Sequence, residues 1–417
     1  MLNIFLFSLA CSQKEEVVPN PEDQPELECE DTTRAGETSI ENIEAVSASD
    51  VTFALDLWAE LETKDNNQFI SPYSMTSALG MLHLGAAGNS DEEMKAVLNI
   101  DEDDAAWHGT KGLLTQELHQ PERCDYQLSI ANRLFAQDGY PFQTEFLEEV
   151  DSIYGAPVQT VDFQVDAEGG RQEVNAWVSD QTKGHIPELF KAGTINEATR
   201  LVLANAIYLN APWATPFKEQ ATAPASFLTE AGDEIDVPTM FNGELDMRYF
   251  SDELMTAATL QYQGDELSMT FYVPNEGIAL TDLEAAFGHE LYDRVQDEQL
   301  HTLGEVHIPK FEFRTELSLN EPLSNLGMPS LFTDEANLSN MSDEPLYVKS
   351  VVHEAWIKVE EKGTEAAAAT GVDVGVTSMP ETQYFAANRA FLFTIQDDLT
   401  GSLLFMGRVA DPSAGPE

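Results

Sequence analysis

The sequence predicts a mixed α+β fold, and three observations support this prediction. Two segments in the first quarter of the chain combine capping residues with apolar positions at helical spacing. Several later segments are short, β-branched or aromatic runs that are typical of strands. Residues 364–376 alternate with a period of two, which is the side-chain repeat of a β-strand.

Two helices are predicted from capping patterns. The first begins at Ser47 or Ser49, because serine satisfies free backbone amides at a helix start. The second follows Ser90 and Glu93, which have the spacing of a capping box. The apolar positions that share one face of each helix are Ala54, Leu57, Trp58 and Leu61 in the first, and Met94, Val97 and Leu98 in the second.

Strands are predicted where β-branched and aromatic residues are concentrated in short runs. Four such runs are residues 128–136, 267–274, 305–313 and 390–395. No internal repeat interrupts this arrangement, so a solenoid or propeller is not expected.

The segment from Glu361 to Val376 is the most informative part of the chain. One alternating face is uncharged and suits a core, whereas the other carries Glu365, Asp373, alanine and glycine and suits solvent. The segment therefore has the pattern of a strand that can join a sheet. By itself it leaves two alternatives open, since four consecutive alanines favour a helix and a Gly/Ala/Val/Thr stretch is also typical of a linker.

Residues 361–370, Glu-Lys-Gly-Thr-Glu-Ala-Ala-Ala-Ala-Thr, resemble the proximal hinge of the reactive-centre loop in serpins, the serine protease inhibitor family. Other stretches are similar to the family's second helix, to the helix and turn before its central sheet, to a central strand and to its two closing strands. In that order they are residues 69–88, 174–190, 203–217, 385–395 and 402–412. The resemblance runs from about Ser47 to Pro412.

The resemblance implies one serpin domain at residues 46–413, with eight to nine helices around three β-sheets. It also implies an exposed reactive-centre loop at about residues 361–383. The hinge residues that match are Glu361, Lys362, Gly363, Thr364, Glu365, Ala366, Ala367, Ala368, Ala369 and Thr370.

The resemblance also implies roles for two further sets of residues. The family's shutter, a set of buried polar residues beneath the central sheet, matches Ser71, Ser74, Asn205 and His353. The family's breach, where the loop enters the sheet, matches Trp213, Lys310 and Glu361. The resemblance implies an ion pair between Lys310 and Glu361, which contributes about 0–1 kcal/mol if it is exposed.

The resemblance implies a suicide inhibitor of a serine protease. The protease would cut the loop, which would then insert into the central sheet and trap the acyl-enzyme. Loop length favours cleavage between Thr377 and Ser378, with cleavage next to Val376 or Met379 left open. Small or β-branched residues indicate an elastase-like or subtilisin-like target, or a cysteine protease. The alternative is a non-inhibitory serpin that acts as a protease substrate or binding module.

The chain is strongly acidic, with 74 acidic and 21 basic residues and a net charge of -53. Nucleic acid, heparin-like activators and anionic membranes are therefore poor partners, and we expect a monomer. The acidity itself has two explanations, solvation in a salty environment or an acidic binding surface.

No enzyme activity, cofactor or metal is expected. The sequence lacks the G-x-S-x-G, H-E-x-x-H, P-loop and G-x-G-x-x-G motifs. His289-Glu290 and His353-Glu354 lack the second histidine that a zinc-binding helix would supply.

The N-terminal segment predicts export. Residues 1–11 form a short apolar run that ends in Cys11 and resembles the lipobox of bacterial lipoproteins, although an ordinary secretory signal is also open. Residues 12–45 have the composition of an acidic disordered tether. The expected location is extracellular or in the cell envelope, with membrane contact only through a lipid on Cys11. Cys29 and Cys124 either pair or remain free thiols.

The lipid anchor gives a first prediction. Replacing Cys11 with serine should move the protein from the membrane fraction to the soluble fraction, because a protein without the thioether-linked lipid loses its buried acyl chains. Fractionation of cells that produce the two forms measures this. A wild-type protein already found wholly in the soluble fraction would contradict the prediction.

Overall fold

The computed structural model of the chain describes residues 40–61, 66–100, 103–118, 125–364 and 382–415. Its α-helices are α1 Ile40–Glu60, α2 Pro72–His83, α3 Gly88–Leu98, α4 Asp104–Leu118, α5 Thr144–Tyr154, α6 Ala167–Gln181, α7 Leu280–Ala286, α8 His289–Glu298 and α9 Asn320–Leu326. Its strands are β1 Gln68–Ile70, β2 Gln127–Gln137, β3 Gln159–Val161, β4 Leu201–Pro212, β5 Ala223–Leu228, β6 Glu234–Ser251, β7 Met255–Gln261, β8 Leu267–Pro274, β9 Leu300–Pro309, β10 Phe311–Ser318, β11 Val352–Glu360, β12 Gly363–Thr364, β13 Gln383–Ala386, β14 Phe391–Asp397 and β15 Leu403–Val409. The mixed α+β prediction is confirmed.

The strands form two hydrogen-bonded sheets. The first has nine strands in the order β1-β15-β14-β8-β7-β6-β9-β13, with β5 paired to β6. The second has six strands in the order β10-β11-β12-β4-β2-β3, with an additional pairing of β11 to β4. We call this second sheet the central sheet; its strand β12 consists of Gly363 and Thr364, two residues of the predicted hinge.

The expected number of sheets differs from the observed number for the described residues. Three sheets were expected, but the 18-residue strand β6 pairs with β9 from Thr239 to Tyr249 across a bulge between Asn242 and Leu245. Because a bulge bends a strand without ending its ladder, the two smaller expected sheets form one continuous nine-stranded network.

Two apolar clusters cover the two faces of the central sheet. The larger cluster contains Leu203, Ile207 and Leu209 of β4, which therefore point toward the body of the protein. The smaller cluster packs α6 against the opposite face, where Ala204 and Ala206 are fully buried. Both faces of β4 are thus shielded from water, which explains its nearly continuous apolar sequence.

The first helix begins earlier than predicted. Helix α1 starts at Ile40, so Ser47 and Ser49 lie inside it and do not cap it. The proposed tether boundary at residue 45 is also too late, because Ile43 and Val46 are buried and extend the apolar face toward the N-terminus. The predicted core positions of this helix, Ala54, Leu57, Trp58 and Leu61, are all buried.

Two further boundaries are corrected. Ser90 lies inside α3, which starts at Gly88; its hydroxyl accepts a hydrogen bond from the backbone of Asn337 at 2.9 Å, so it links α3 to a distant segment instead of capping it. The predicted strand at residues 305–313 is two strands, β9 and β10, which belong to different sheets. The chain passes from one sheet to the other at Pro309 and Lys310.

Several predictions lie outside the described residues. They concern Cys11, Cys29 and Cys124, the hinge residues 365–370 and the predicted scissile residues Thr377 and Ser378. None of the helices that the structure describes is both long and apolar enough to cross a bilayer.

Candidate functional site

The candidate site follows the line along which β4 and β11 meet, which we call the seam (residues 201–212 and 352–360). At one end the two strands pair directly in parallel, through residues 204–207 and 352–355. At the other end the two-residue strand β12 lies between them and pairs antiparallel with both. The seam is therefore closed at one end and already opened at the other by the start of the loop.

Steric constraints explain why Gly363 and Thr364 can occupy the space between β4 and β11, which we call the wedge. Gly363 has a φ of 150°, and a Cβ atom there would meet the carbonyl oxygen of Ala211 at 2.2 Å, so only glycine fits without moving backbone. Thr364 is buried, and its hydroxyl lies 2.6 Å from the hydroxyl of Tyr262. The first two residues after Lys362 are thus held as part of the central sheet.

The predicted breach residues come together at the mouth of the seam. Lys310 donates a hydrogen bond to one carboxylate oxygen of Glu361 at 2.7 Å, and Thr222 donates to the other at 2.7 Å. Burial alone would raise the pKa of Glu361, but the hydrogen bonds from Lys310 and Thr222 lower it below its usual value. Because Lys310 is 34% exposed, this ion pair contributes little to the free energy that holds Glu361 in place.

Trp213 holds the backbone just before the wedge. Its ring stacks on Tyr262 with a centroid distance of 4.6 Å and an interplanar angle of 5°. Its backbone amide donates to the carbonyl of Lys362 at 2.9 Å, and its indole nitrogen donates to the carbonyl of Glu360 at 3.1 Å. The stacked pair and these two hydrogen bonds fix where the loop leaves β11.

The four predicted shutter residues also meet, beneath the closed end of the seam. His353 of β11 lies 2.5 Å from the side-chain oxygen of Asn205 of β4. The Asn205 amide donates to the hydroxyl of Ser74 at 2.7 Å, and the backbone amide of Ser71 donates to Nε2 of His353 at 3.1 Å. Helix α2 and both seam strands are therefore tied into one polar network.

The protonation of His353 follows from these partners. A backbone amide can only donate, so Nε2 accepts from Ser71, and the ring proton on Nδ1 is donated to Asn205. Burial lowers the pKa of His353 to about 3, because the loss of water disfavours the charged ring. The ring is neutral at physiological pH and bonds directly across the seam.

The sequence analysis did not identify three residues of this arrangement. Asn132 of β2 accepts from the Asn205 amide at 2.6 Å and so joins the shutter, whereas Tyr262 and Thr222 contact Thr364 and Glu361 as described above. Asn132 stands as a single amide within the apolar strand pattern of residues 128–136, which is the one local signal that could have drawn attention to it.

The opposite face of the seam carries a second set of groups. The ring of His185 stacks on Trp356 of β11 at 4.1 Å and on Tyr208 of β4 at 5.3 Å, and so bridges the two strands. Glu354 is buried beside Arg314, at 3.2 Å. Burial raises the pKa of Glu354 to about 7, although Arg314 opposes this effect.

The neutral state of His353 gives a prediction for acid stability. Since its folded pKa is about 3 and its ordinary value is 6.5, the unfolded chain binds the proton first as pH falls between these values. The contribution of His353 to stability is therefore fully present above pH 6.5 and is lost as pH falls toward 3. In His353→Gln, the slope of unfolding free energy against pH in this window should be shallower by about 1.4 kcal/mol per pH unit.

Urea unfolding at several pH values measures this slope. The matched control is His289→Gln, which replaces an exposed histidine. Equal slopes for the wild type and His353→Gln would contradict the assignment of a neutral buried ring.

Comparison with known proteins identifies the family that has these features. A family profile described as "Serpin (serine protease inhibitor)" matches residues 48–412. The leukocyte elastase inhibitor of Sus scrofa is 37% identical over 383 residues, which cover 89% of this chain and all of that protein. The human protein of the same name is 35% identical over 382 residues with the same coverage.

A protein of Thermococcus kodakarensis and two solved structures are also similar to this chain. A serpin-like protein of Thermococcus kodakarensis is 36% identical over 373 residues, covering 87% of this chain and 85% of its own. Uncleaved ovalbumin (TM-score 0.80, 27% identity) covers 88% of this chain, and human thyroxine-binding globulin in complex with thyroxine (TM-score 0.80, 26% identity) covers 89%. Both solved chains are matched over their full length. The profile match, the identity to these relatives and the shared architecture all show that the chain belongs to the serpin family.

Proposed function

We propose that this serpin inhibits a serine protease by acting as a suicide substrate whose cleaved loop inserts along the seam. The observation that carries the proposal is the position of β12, whose two residues already lie between β4 and β11. A loop anchored in this way can extend an existing strand, which avoids the entropic cost of nucleating a new one.

The register of β12 supports insertion down the whole seam. Thr364 lies opposite Val359 on one side and Ala211 on the other. If both ladders continue one residue at a time, Thr370 would reach His353 on one side and Asn205 on the other. These are the same two residues that now pair with each other across the closed end. A single strand can therefore replace the direct pairing without a change of register.

The inward-facing residues of the inserting segment suit the space they would enter. In the same register Ala366 would lie between Ile357 and Leu209, which are buried in the main core. Ala368 would lie one level further, between Ala355 and Ile207, which are equally buried. Small uncharged side chains enter such positions without leaving a buried polar group unpaired.

The outward-facing residues need a different explanation from the one the sequence suggested. That face was expected to meet solvent, but at the level of Ala204 and Ala206 it is covered by α6 and its apolar cluster. Ala369 and Gly371 would lie at these levels, so their small size is needed to pass beneath α6. Glu365, by contrast, would lie beside half-exposed Lys358.

The energy for trapping would come from the added strand. About ten new backbone hydrogen bonds at a net 0.5–1.5 kcal/mol each supply roughly 5–15 kcal/mol, before the four-residue pairing of β4 with β11 is subtracted. The protease forms its acyl-enzyme with its own nucleophile, so the inhibitor contributes no catalytic group. Distortion of the attached protease then stops hydrolysis of the ester.

The target is proposed to be an elastase-like or subtilisin-like serine protease, with a cysteine protease as the other candidate. Residues 364–382 contain no lysine or arginine, which disfavours a trypsin-like enzyme. The leukocyte elastase inhibitors among the relatives support the elastase-like choice. We propose Thr377-Ser378 as the scissile bond and export to the cell envelope or outside the cell, on the basis of the apolar run before Cys11.

Arginine scanning of the hinge tests insertion. Thr364 is already buried in the uncleaved protein, so arginine there would destabilise the starting state as well. Ala368→Arg is the sharper variant, because insertion would bury an unpaired charge at a cost of several kcal/mol. We expect its stoichiometry of inhibition to rise by about tenfold or more, since about 1.4 kcal/mol already changes partitioning tenfold.

Glu365→Arg is the matched control, because it adds the same side chain three positions earlier on the opposite face. In the proposed register this side chain would lie on the outward face beside half-exposed Lys358, so its stoichiometry should stay within about twofold of the wild type. An unchanged stoichiometry for Ala368→Arg would overturn the insertion mechanism.

Incubation with an elastase and a subtilisin distinguishes the proposed function from its alternative. An SDS-stable complex and a released peptide that begins at Ser378 are expected for a suicide inhibitor. Cleavage within the loop that leaves every protease of a wider panel active would favour a substrate or binding module. The thyroxine complex of a structural relative shows that a chain of this architecture also binds a small molecule.

A further inference from the structure

Three helix ends meet at a cluster of possible metal ligands, remote in the chain from the loop. His83 lies in the last turn of α2, Asp91 in the first turn of α3 and Asp104 in the first turn of α4. One nitrogen of His83 and one oxygen of each aspartate all lie within 4.8 Å of one another. We call these three side chains the helix-end cluster.

His83 is the rigid member of the cluster. Its side chain is only 3% exposed, and Nε2 points at Asp91, 2.9 Å away. Its other ring nitrogen, Nδ1, lies 2.8 Å from Nε2 of His108, and Nδ1 of His108 lies 2.7 Å from the hydroxyl of Tyr154. A histidine ligand in a metal site is normally oriented by such a partner on its second nitrogen.

A cation already occupies the space between the two carboxylates. The ammonium group of Lys95 lies 3.0 Å from Asp91 and 2.6 Å from Asp104. Lys95 is 28% exposed on a flexible side chain, so it can turn into solvent. The second oxygen of Asp104, Oδ1, is buried and has no hydrogen-bond partner among the described residues, which leaves one lone-pair donor of the cluster unused.

We propose that the helix-end cluster binds a divalent transition-metal ion, with Zn²⁺ as the best match, in exchange for the ammonium group of Lys95. One imidazole nitrogen and two carboxylate oxygens suit Zn²⁺, and water would complete a tetrahedron. Mg²⁺ and Ca²⁺ prefer oxygen ligands alone, so the buried imidazole disfavours them. Ligands that lie about 2.0–2.2 Å from a tetrahedral zinc are roughly 3.3–3.6 Å from one another. Asp91 would therefore move slightly away from Nε2 of His83, now 2.9 Å distant, and Asp104, within 4.8 Å of both, would adjust to the same spacing, which partly exposed side chains allow.

The hydrogen-bond relay allows this exchange without a net proton change at the histidines. Without metal, Nε2 of His83 donates to Asp91, His108 donates to Nδ1 of His83, and Tyr154 donates to His108. With metal, Nε2 of His83 is the ligand. Its proton is then on Nδ1 and is donated to His108, whose own proton is donated to the oxygen of Tyr154. Both rings change tautomer and remain neutral.

The high negative charge of the chain favours binding of Zn²⁺ at the helix-end cluster. It also attracts divalent ions to other sites, so the experiment needs a control for binding elsewhere. A net charge of -53 concentrates divalent ions around the whole surface, and the thiols of Cys11, Cys29 and Cys124 could bind added zinc as well. The experiment therefore uses the full chain with these three cysteines replaced by serine, stripped of metal by a chelator. Excess Mg²⁺ in the buffer occupies weak acidic sites.

Calorimetric titration with ZnCl₂ then tests the cluster in four proteins: the background chain, Asp104→Asn, Lys95→Met and Glu92→Gln. Glu92 is exposed and adjacent to Asp91, so its variant is matched in charge and helix position. We expect one zinc per chain, affinity weaker by about tenfold or more in Asp104→Asn, and affinity unchanged in Glu92→Gln. Lys95→Met should bind more tightly, because no ammonium group competes.

The thermal midpoint gives a second readout that does not depend on protease inhibition. Zinc should raise it in the background chain and in Glu92→Gln, and much less in Asp104→Asn, since a ligand stabilises the fold only where it binds. Equal zinc affinity in Asp104→Asn and Glu92→Gln would overturn the site. Unchanged or weaker affinity in Lys95→Met would overturn the exchange with the ammonium group.

Discussion

The hydrogen bond between His353 and Asn205 is the interaction on which the behaviour of the central sheet depends. It joins β11 to β4 at the one place where these strands pair directly, and it also holds Ser71 and Ser74 at the start of α2. Because the imidazole is neutral and fully buried, the bond has no competing water. This bond stabilises the closed end of the seam, which is otherwise held by a four-residue ladder and by the stacking of His185 on Trp356 and Tyr208.

The open end of the seam is held by different forces. Gly363 and Thr364 take the place of a strand, and the stacked rings of Trp213 and Tyr262 support them from one side. The ion pair of Lys310 with Glu361 lies nearer to solvent and contributes less. Strand β12 already separates β4 from β11 at one end, and only four residue pairs join these strands at the other. A further strand can therefore be added from the end where β12 lies.

Two cations of this strongly acidic chain are fully buried, each beside carboxylate partners. Lys111 is fully buried beside Asp50, and Arg408 is fully buried beside Glu230 and Glu284. A buried cation of this kind would be costly without its carboxylate partner. Lys111 and Arg408 are therefore held as members of ion pairs and not as isolated buried charges.

The sequence by itself determined the parts that depend on local spacing. The apolar faces of α1 and α3 and the strands at 128–136 and 267–274 follow from contacts between residues two to four positions apart. The shutter and breach residues came from resemblance to the family. In the structure the side chains of His353, Asn205 and Ser74 meet, as do those of Lys310 and Glu361.

Only the tertiary structure decided the rest. Ser47 and Ser90 look like helix caps, yet both lie within helices. Helix α1 extends beyond its local signal because residues such as Ile43 are buried, whereas the hydroxyl of Ser90 bonds to the backbone of Asn337. Asn132 accepts a hydrogen bond from Asn205 of the shutter, and His83 lies close to Asp104. In each case the two residues are on separate elements. The register of two sheet strands and the convergence of three helix ends are set by packing over the whole domain, and no local pattern encodes those distances.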